Sequence, residues 1–91
     1  MTVISAELAF LIPYAHSLKE KRMIKRSIID KTRRKFNVSI AEVGTQDMHQ
    51  TLTLGVAVVS GEYAHAKNML DEIIRYMEET AEAELTSVKI E

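Results

Sequence analysis

The chain has 91 residues, of which 46% are hydrophobic and 27% charged, and a net charge of −1, a size and composition that predict a single folded domain over residues 1–91. It contains no cysteine, which excludes disulfide scaffolds, thiolate zinc sites and thiol catalysis and agrees with a reducing cytoplasm. No apolar run approaches the ~20 residues of a membrane span, and the N-terminus lacks the features of a signal peptide, so we expect a cytoplasmic protein.

The first third of the chain predicts a strand followed by a helix. Residues 3–12 alternate between two rather apolar sides, which is typical of a central strand, and Pro13 ends it. Ser17 and Glu20 have the spacing of a capping box, in which the serine hydroxyl accepts from the backbone of Glu20 and the carboxylate reaches back to Ser17. We therefore expect a helix over residues 18–35.

The remaining elements follow in order. Asn37 is expected to close the first helix in the left-handed conformation. Two strands are predicted over residues 38–43 and 48–59, with turn-forming residues between them. Ser60 is the expected N-cap of a second helix, and a strand over residues 85–90 ends the pattern. The second helix presents an apolar stripe at helical spacing, formed by Ala66, Met69, Leu70, Ile73, Ile74 and Met77.

This β-α-β-β-α-β order predicts the fold class. Right-handed crossovers convert it into a ferredoxin-like α+β sandwich, a four-stranded antiparallel sheet with both helices on one face. The first and third strands are the longest and most apolar, so we place them in the centre of the sheet. The second and fourth strands then lie at its edges.

Charge is distributed unevenly along the chain. Residues 19–35 carry nine basic and two acidic side chains, a net charge of +7, whereas the rest of the chain carries −8. Four of these cations share an arc of about 60° and form a stripe about 20 Å long on the first helix. This basic stripe consists of Lys19, Arg22, Arg26 and Arg33. It is suited to the phosphates of RNA, and the alternative is an ordinary solvated face partly paired with the acidic second helix.

The sheet face away from the helices suggests a different function. The positions of the central strands that lie on this face carry no aromatic side chain, so stacking of RNA bases on the sheet is not expected. Its apolar positions are mostly small, namely Ala9, Leu11, Ala57 and Val59. Because an uncovered face of this kind commonly packs against another copy, homo-oligomerisation through it is the second hypothesis.

Lys21 and Lys25 project toward the buried arc of the first helix. A lysine there must snorkel to solvent or find a carboxylate, and Glu42 and Asp47 are the candidate partners of Lys21 in a buried ion pair. The three histidines lack ligand spacing, so we expect no metal and no cofactor. No set of nucleophile and base and no Gly-rich phosphate loop is visible, so we expect no enzyme activity.

Two blocks of sequence, SLKEKR at residues 17–22 and FNVS-I-AEV at residues 36–43 with its continuation to residue 60, resemble the YlxP-like family. This family is a domain of unknown function in small bacterial proteins, and the resemblance covers essentially the full chain. It implies a ferredoxin-like fold and a gene neighbourhood of translation initiation and ribosome maturation, and it supplies no catalytic residues. The chain departs from the family habit at Lys25 and Thr32, where leucine is usual, so we expect its first helix to pack less tightly than those of its relatives.

The sequence therefore leaves two functional hypotheses open. The first is a binding protein associated with RNA or a ribosomal subunit through the basic stripe. The second is an interaction module that self-associates through the open sheet face. Neither involves a membrane.

Overall fold

The computed structural model describes all residues 1–91. Its elements are β1 Thr2–Leu11, α1 Leu18–Lys35, β2 Ser39–Glu42, β3 Thr51–Ser60, α2 Tyr63–Thr80 and β4 Glu84–Ile90. The strands form one antiparallel sheet in the order β2-β3-β1-β4, so β1 and β3 are central, as their apolar sequences predict. The ferredoxin-like fold is confirmed.

The core lies on the helix-facing side of the two central strands. β1 and β3 pair along their whole length, with even-numbered residues opposite each other, as in Leu8 opposite Leu54. Since side chains alternate across a strand, all these even positions share one face, and that face is buried. The second helix covers it with four buried residues, Ala66, Leu70, Ile73 and Met77.

The buried side of α1 is more polar than that of α2. Ile28 is its only apolar residue that is fully buried, and Lys21 and Thr32 are buried beside it. The Thr32 hydroxyl donates to the Ile28 carbonyl at 2.7 Å, which satisfies it within its own helix. Apolar burial therefore holds α1 less firmly to the sheet than it holds α2.

The capping box at the start of α1 is only half as predicted. The Ser17 hydroxyl accepts from the Glu20 backbone N–H at 3.2 Å, as expected. The Glu20 carboxylate, however, accepts from the backbone N–H of His16 at 2.7 Å and not from that of Ser17. Both groups still satisfy backbone donors at the helix start, which is the physical purpose of the motif.

Two other predictions at helix ends are wrong. Phe36 caps the end of α1 in an extended conformation, and Gly44 is the only residue with a positive φ, so Asn37 is not left-handed. Ser60 belongs to β3, and the N-cap of α2 is Glu62, which makes no side-chain capping bond. The Ser60 hydroxyl instead accepts from the Glu62 backbone N–H at 3.3 Å within the turn.

A loop over residues 43–50 joins β2 to β3, so β3 begins three residues later than predicted. Gly44 has a φ of 79°, a conformation that side-chain-bearing residues adopt at a cost, and it makes the turn out of β2. Neither α1 nor α2 is both long and apolar enough to cross a membrane.

A substitution at Ile73 tests how much the buried face of α2 contributes to stability. Replacing it with alanine removes buried methyl groups and leaves a cavity, so we expect Ile73→Ala to lower the free energy of unfolding by about 3 kcal/mol. Urea unfolding followed by circular dichroism measures this loss. The exposed neighbour Glu72 supplies the control, because Glu72→Ala should change stability by about 0.5 kcal/mol or less. Equal effects of the two substitutions would contradict the placement of the α2 face.

Candidate nucleic-acid interface

The basic stripe of α1 is exposed along its whole length. Lys19, Arg22, Arg26 and Arg33 are all solvent-exposed. The structure contains three ion pairs, and they involve Lys21, Lys25 and Lys67, so no member of the stripe is paired with a carboxylate. The acidic side chains of α2 therefore form no ion pair with any cation of the stripe.

Arg33 places one end of the stripe beside the β2 edge of the sheet. Its guanidinium Nη2 donates to the Ile40 carbonyl of β2 at 3.0 Å. Guanidinium has five N–H donors, so one bond to a carbonyl leaves others available to an anion. Lys35 lies apart from the stripe, since its ammonium sits 4.7 Å from the ring centroid of Tyr76 on α2.

Lys21 is buried against the loop that follows β2. Its side chain is 2% exposed, and its Nζ lies 2.6 Å from Oε2 of Glu42, whose side chain is 7% exposed. The same ammonium donates to the backbone carbonyls of Thr45 and Met48. All three of its N–H donors therefore have acceptors. Asp47, the other predicted partner, is exposed and takes no part in this ion pair.

Glu42 connects three parts of the chain through its carboxylate. Oε1 accepts from Lys25 of α1 at 3.3 Å, and Oε2 accepts from the Thr45 hydroxyl at 2.9 Å. The Thr45 hydroxyl oxygen in turn accepts from the backbone N–H of Thr53 on β3 at 2.9 Å. The network thus ties α1, the loop over residues 43–50 and β3 to a single buried carboxylate.

The protonation equilibrium of Glu42 reflects this network. Burial raises the pKa of Glu42, but hydrogen bonds from Lys21, Thr45 and Lys25, together with the charge of Lys21, outweigh burial and hold the pKa below its ordinary value of 4.5. The carboxylate is therefore ionised at neutral pH. Because both charges are satisfied by fixed protein partners, the pair positions α1 and offers no free group for acid–base work.

The open sheet face has its apolar side chains at the ends of the strands. Val3 and Val59 lie directly opposite each other and are 60% and 51% exposed. Leu11 is exposed at the far end, while Ala9 and Ala57 are half-buried among their neighbours. Between the two ends lies a shallow recess of about 290 Å³, lined by polar and small residues that include Ser5, Glu7, Ser39, Ala41 and Gly55.

The structure brings no three histidine, aspartate or glutamate side chains into a group that could hold a metal ion. Sequence reasoning missed the Thr45 hydroxyl, which bonds to Glu42, and the backbone carbonyls of Thr45 and Met48 that receive Lys21. No side-chain pattern marks the two carbonyls, because any residue type supplies a carbonyl.

The family described as "Protein of unknown function (DUF503)" matches residues 3–90. The chain belongs to this family. It is 36% identical to the uncharacterized protein YlxP of Bacillus subtilis (strain 168) over 86 residues, which is 94% of each chain. Among solved structures it is similar to the solution NMR structure of a de novo designed protein with a ferredoxin fold, with a TM-score of 0.63, 21% identity, and coverage of 99% of this chain and 85% of the other. The likeness to the designed protein concerns the fold alone.

Breaking the buried ion pair tests its structural importance. Glu42→Gln leaves the Lys21 ammonium buried without its counter-charge, so we expect a loss of about 3 kcal/mol in the free energy of unfolding at pH 7. Urea unfolding measures the loss. Asp47→Asn is the matched control, because Asp47 makes no ion pair, and it should change stability by about 0.5 kcal/mol or less. An equal loss in both variants would contradict the assignment of Glu42 as the partner.

The stability lost in Glu42→Gln should also depend on pH. Because the pKa of Glu42 is lower in the folded than in the unfolded chain, the unfolded chain binds more protons between the two values. The stabilisation is complete above the ordinary value of 4.5 and is lost as the pH falls through the folded-state pKa. We expect the stability difference between wild type and Glu42→Gln to shrink when urea unfolding is repeated at pH values that fall from 4.5 through the folded-state pKa of Glu42. A difference that stays constant on acidification would contradict the direction of the shift.

Proposed function

We propose that this protein is a non-enzymatic binding protein that attaches to the phosphate backbone of structured RNA through the basic stripe of α1. The contact is made by charge and is largely independent of base sequence. The family resemblance to proteins encoded beside translation genes makes ribosomal RNA the expected class of partner, in the cytoplasm.

One observation carries the proposal, the absence of a carboxylate partner at every cation of the stripe. Ordinary solvated helix faces alternate charges or pair them at i, i+4, as Lys67 and Asp71 do on α2 at 2.7 Å. The stripe instead places four like charges along one line, and the carboxylate at i, i+4 from one of them, that of Asp30 after Arg26, forms no ion pair with it. A polyanion relieves the repulsion among these like charges and releases its own counterions on binding, which favours association.

The geometry also supports phosphate contact over base reading. A helix is rigid, and α1 holds its four cations along about 20 Å. The exposed aromatic residues Tyr14 and Tyr63 lie outside α1, so the stripe has no ring on which bases would stack. The expected binding is therefore sensitive to salt and tolerant of sequence.

Charge reversal within the stripe tests the proposal. Arg22→Glu/Arg26→Glu should weaken binding to a labelled RNA hairpin by at least about tenfold at low salt, measured by fluorescence anisotropy. The wild-type association constant should fall with salt along a log–log slope of about −3.6, as expected for four phosphate contacts on a duplex. The matched control, Lys67→Glu/Arg75→Glu, changes the net charge equally on α2 and should bind like wild type.

Two results would reject the proposal. One is unchanged binding by Arg22→Glu/Arg26→Glu. The other is equal weakening by both double variants, which would show that binding depends on the net charge of the protein and not on the stripe. Arg33 is left intact in this design because its bond to the Ile40 carbonyl gives it a structural role as well.

The second candidate function is self-association through the open sheet face. The observation that favours it is the exposed pair of Val3 and Val59 on adjacent central strands, which no helix covers. Burial of such a pair against a second copy removes apolar surface from water. This candidate is independent of α1, since the basic stripe lies on the other layer.

A charge placed within the open face tests this second candidate. Ala57→Glu should abolish any association that uses this face, because the new carboxylate would be buried without a partner. Sedimentation velocity measures the association, and RNA binding by α1 should persist in the same variant. An oligomer that survives Ala57→Glu would exclude the open face as its interface.

A further inference from the structure

The two edges of the sheet differ in how their outward-pointing backbone groups are covered. In an antiparallel sheet, alternate residues of an edge strand bond to the neighbouring strand, and the others direct their N–H and C=O groups outward. An uncovered row of such groups is a template for another strand, and proteins commonly block it.

The β2 edge is blocked by side chains. Val43 donates to Thr53 of β3, so the alternate residues Ile40 and Glu42 direct their backbone groups away from the sheet. The Ile40 carbonyl accepts from Arg33 at 3.0 Å, and the Glu42 carbonyl accepts from Gln46 at 3.2 Å. Both outward carbonyls of this edge are therefore occupied.

The β4 edge carries no such cover. Glu91 donates to Ser5 of β1, so the alternate residues Val88 and Ile90 direct their N–H and C=O groups outward, and beyond the irregularity opposite Ala9 and Phe10 so does Leu85. No side chain of the protein bonds to these groups. The side chains of the same residues lie on the helix-facing side, where Val88 and Ile90 are 40% and 46% exposed.

The sequence of β4 is complementary to itself in one antiparallel register. When the strand is paired with a second copy about a twofold axis between Thr86 and Ser87, Glu84 lies opposite Lys89 of the second copy. In the same register Leu85 lies opposite Val88, so outward backbone groups meet outward backbone groups and apolar side chains meet on the helix side. The irregularity near Thr86 lies at the twofold axis, so the irregular segments of the two copies face each other.

We propose that β4 pairs with β4 of a second copy of this chain, which joins two sheets into a continuous sheet of eight strands. Leu85 and Val88 supply the main-chain hydrogen bonds, and Glu84 and Lys89 supply opposite charges across the junction. Because the only other edge is blocked by Arg33 and Gln46, the assembly closes at two copies and does not extend. This interface is separate from the basic stripe and from the open sheet face.

A proline at Val88 tests the main-chain pairing. The Val88 N–H does not bond to β1, so the substitution removes only a donor aimed at the partner, as proline does on edge strands. Sedimentation equilibrium of the full chain at concentrations up to about 1 mM should give a dimer for wild type and a monomer for Val88→Pro. Far-UV circular dichroism of the two should coincide.

Charge swapping tests the register without relying on a folded proline variant. Glu84→Lys and Lys89→Glu should each weaken the dimer by about tenfold, because each places like charges opposite one another twice. The double variant Glu84→Lys/Lys89→Glu should restore the wild-type dissociation constant. Restoration is the result that a loss of general stability would not produce.

Three outcomes would overturn the proposal. The first is a wild-type chain that stays monomeric throughout that concentration range. The second is a double swap that fails to restore the dimer weakened by its single substitutions. The third is an association that is lost in Ala57→Glu and kept in Val88→Pro, which would assign self-association to the open sheet face instead.

Discussion

The contact between Lys21 and Glu42 determines where α1 points. Only one apolar residue of α1 is fully buried, so apolar packing alone leaves the rotation of the helix about its axis weakly specified. The Lys21 ammonium removes this freedom, because it has to reach Glu42 and two backbone carbonyls of one loop at once. A rotation by one residue, about 100°, would strand a buried charge without partners. The direction of the basic stripe therefore depends on a buried lysine two residues after its first member, Lys19, although the Lys21 side chain is only 2% exposed.

The two proposed surfaces lie at opposite edges of the sheet. Arg33 fixes the end of the basic stripe at β2, whereas β4 forms the other edge, with β3 and β1 between them. A dimer through β4 thus leaves both stripes at its outer ends, separated by the width of an eight-stranded sheet, about 34 Å at 4.8 Å per strand. Two such sites on one particle would strengthen attachment to a long polyanion that reaches both. Arg33 serves both surfaces, since the bond that positions the stripe also closes the edge that would otherwise extend the sheet.

Much of the fold follows from local patterns, and the remainder does not. The period-two alternation of β1 and β3 and the helical spacing of the α2 stripe identify the buried faces, because burial acts on every residue of those elements. Helix ends are harder to predict, and the caps expected at Asn37 and Ser60 are wrong, because several residues near each end offer a comparable cap. The burial of Lys21 was visible in its position on the helical wheel. The choice between Glu42 and Asp47 depended on the path of the loop, which is a tertiary property with no signal in the sequence. The covering of β2 by Arg33 and Gln46 was equally invisible, because it requires the strand register.

Because the buried side of α1 is partly polar, α1 and α2 differ in how easily they detach from the sheet. The two central strands and α2 share a continuous apolar core, whereas α1 contributes one fully buried apolar residue, Ile28, with Ile24 and Ile29 only partly buried. Of the two helices, α1 is therefore the one that detaches at the lower cost, with the sheet and α2 retained. Backbone amides of α1 would exchange their hydrogens with water sooner than those of β1. The proposed phosphate-binding surface thus lies on the helix that is more able to adjust to the shape of a partner.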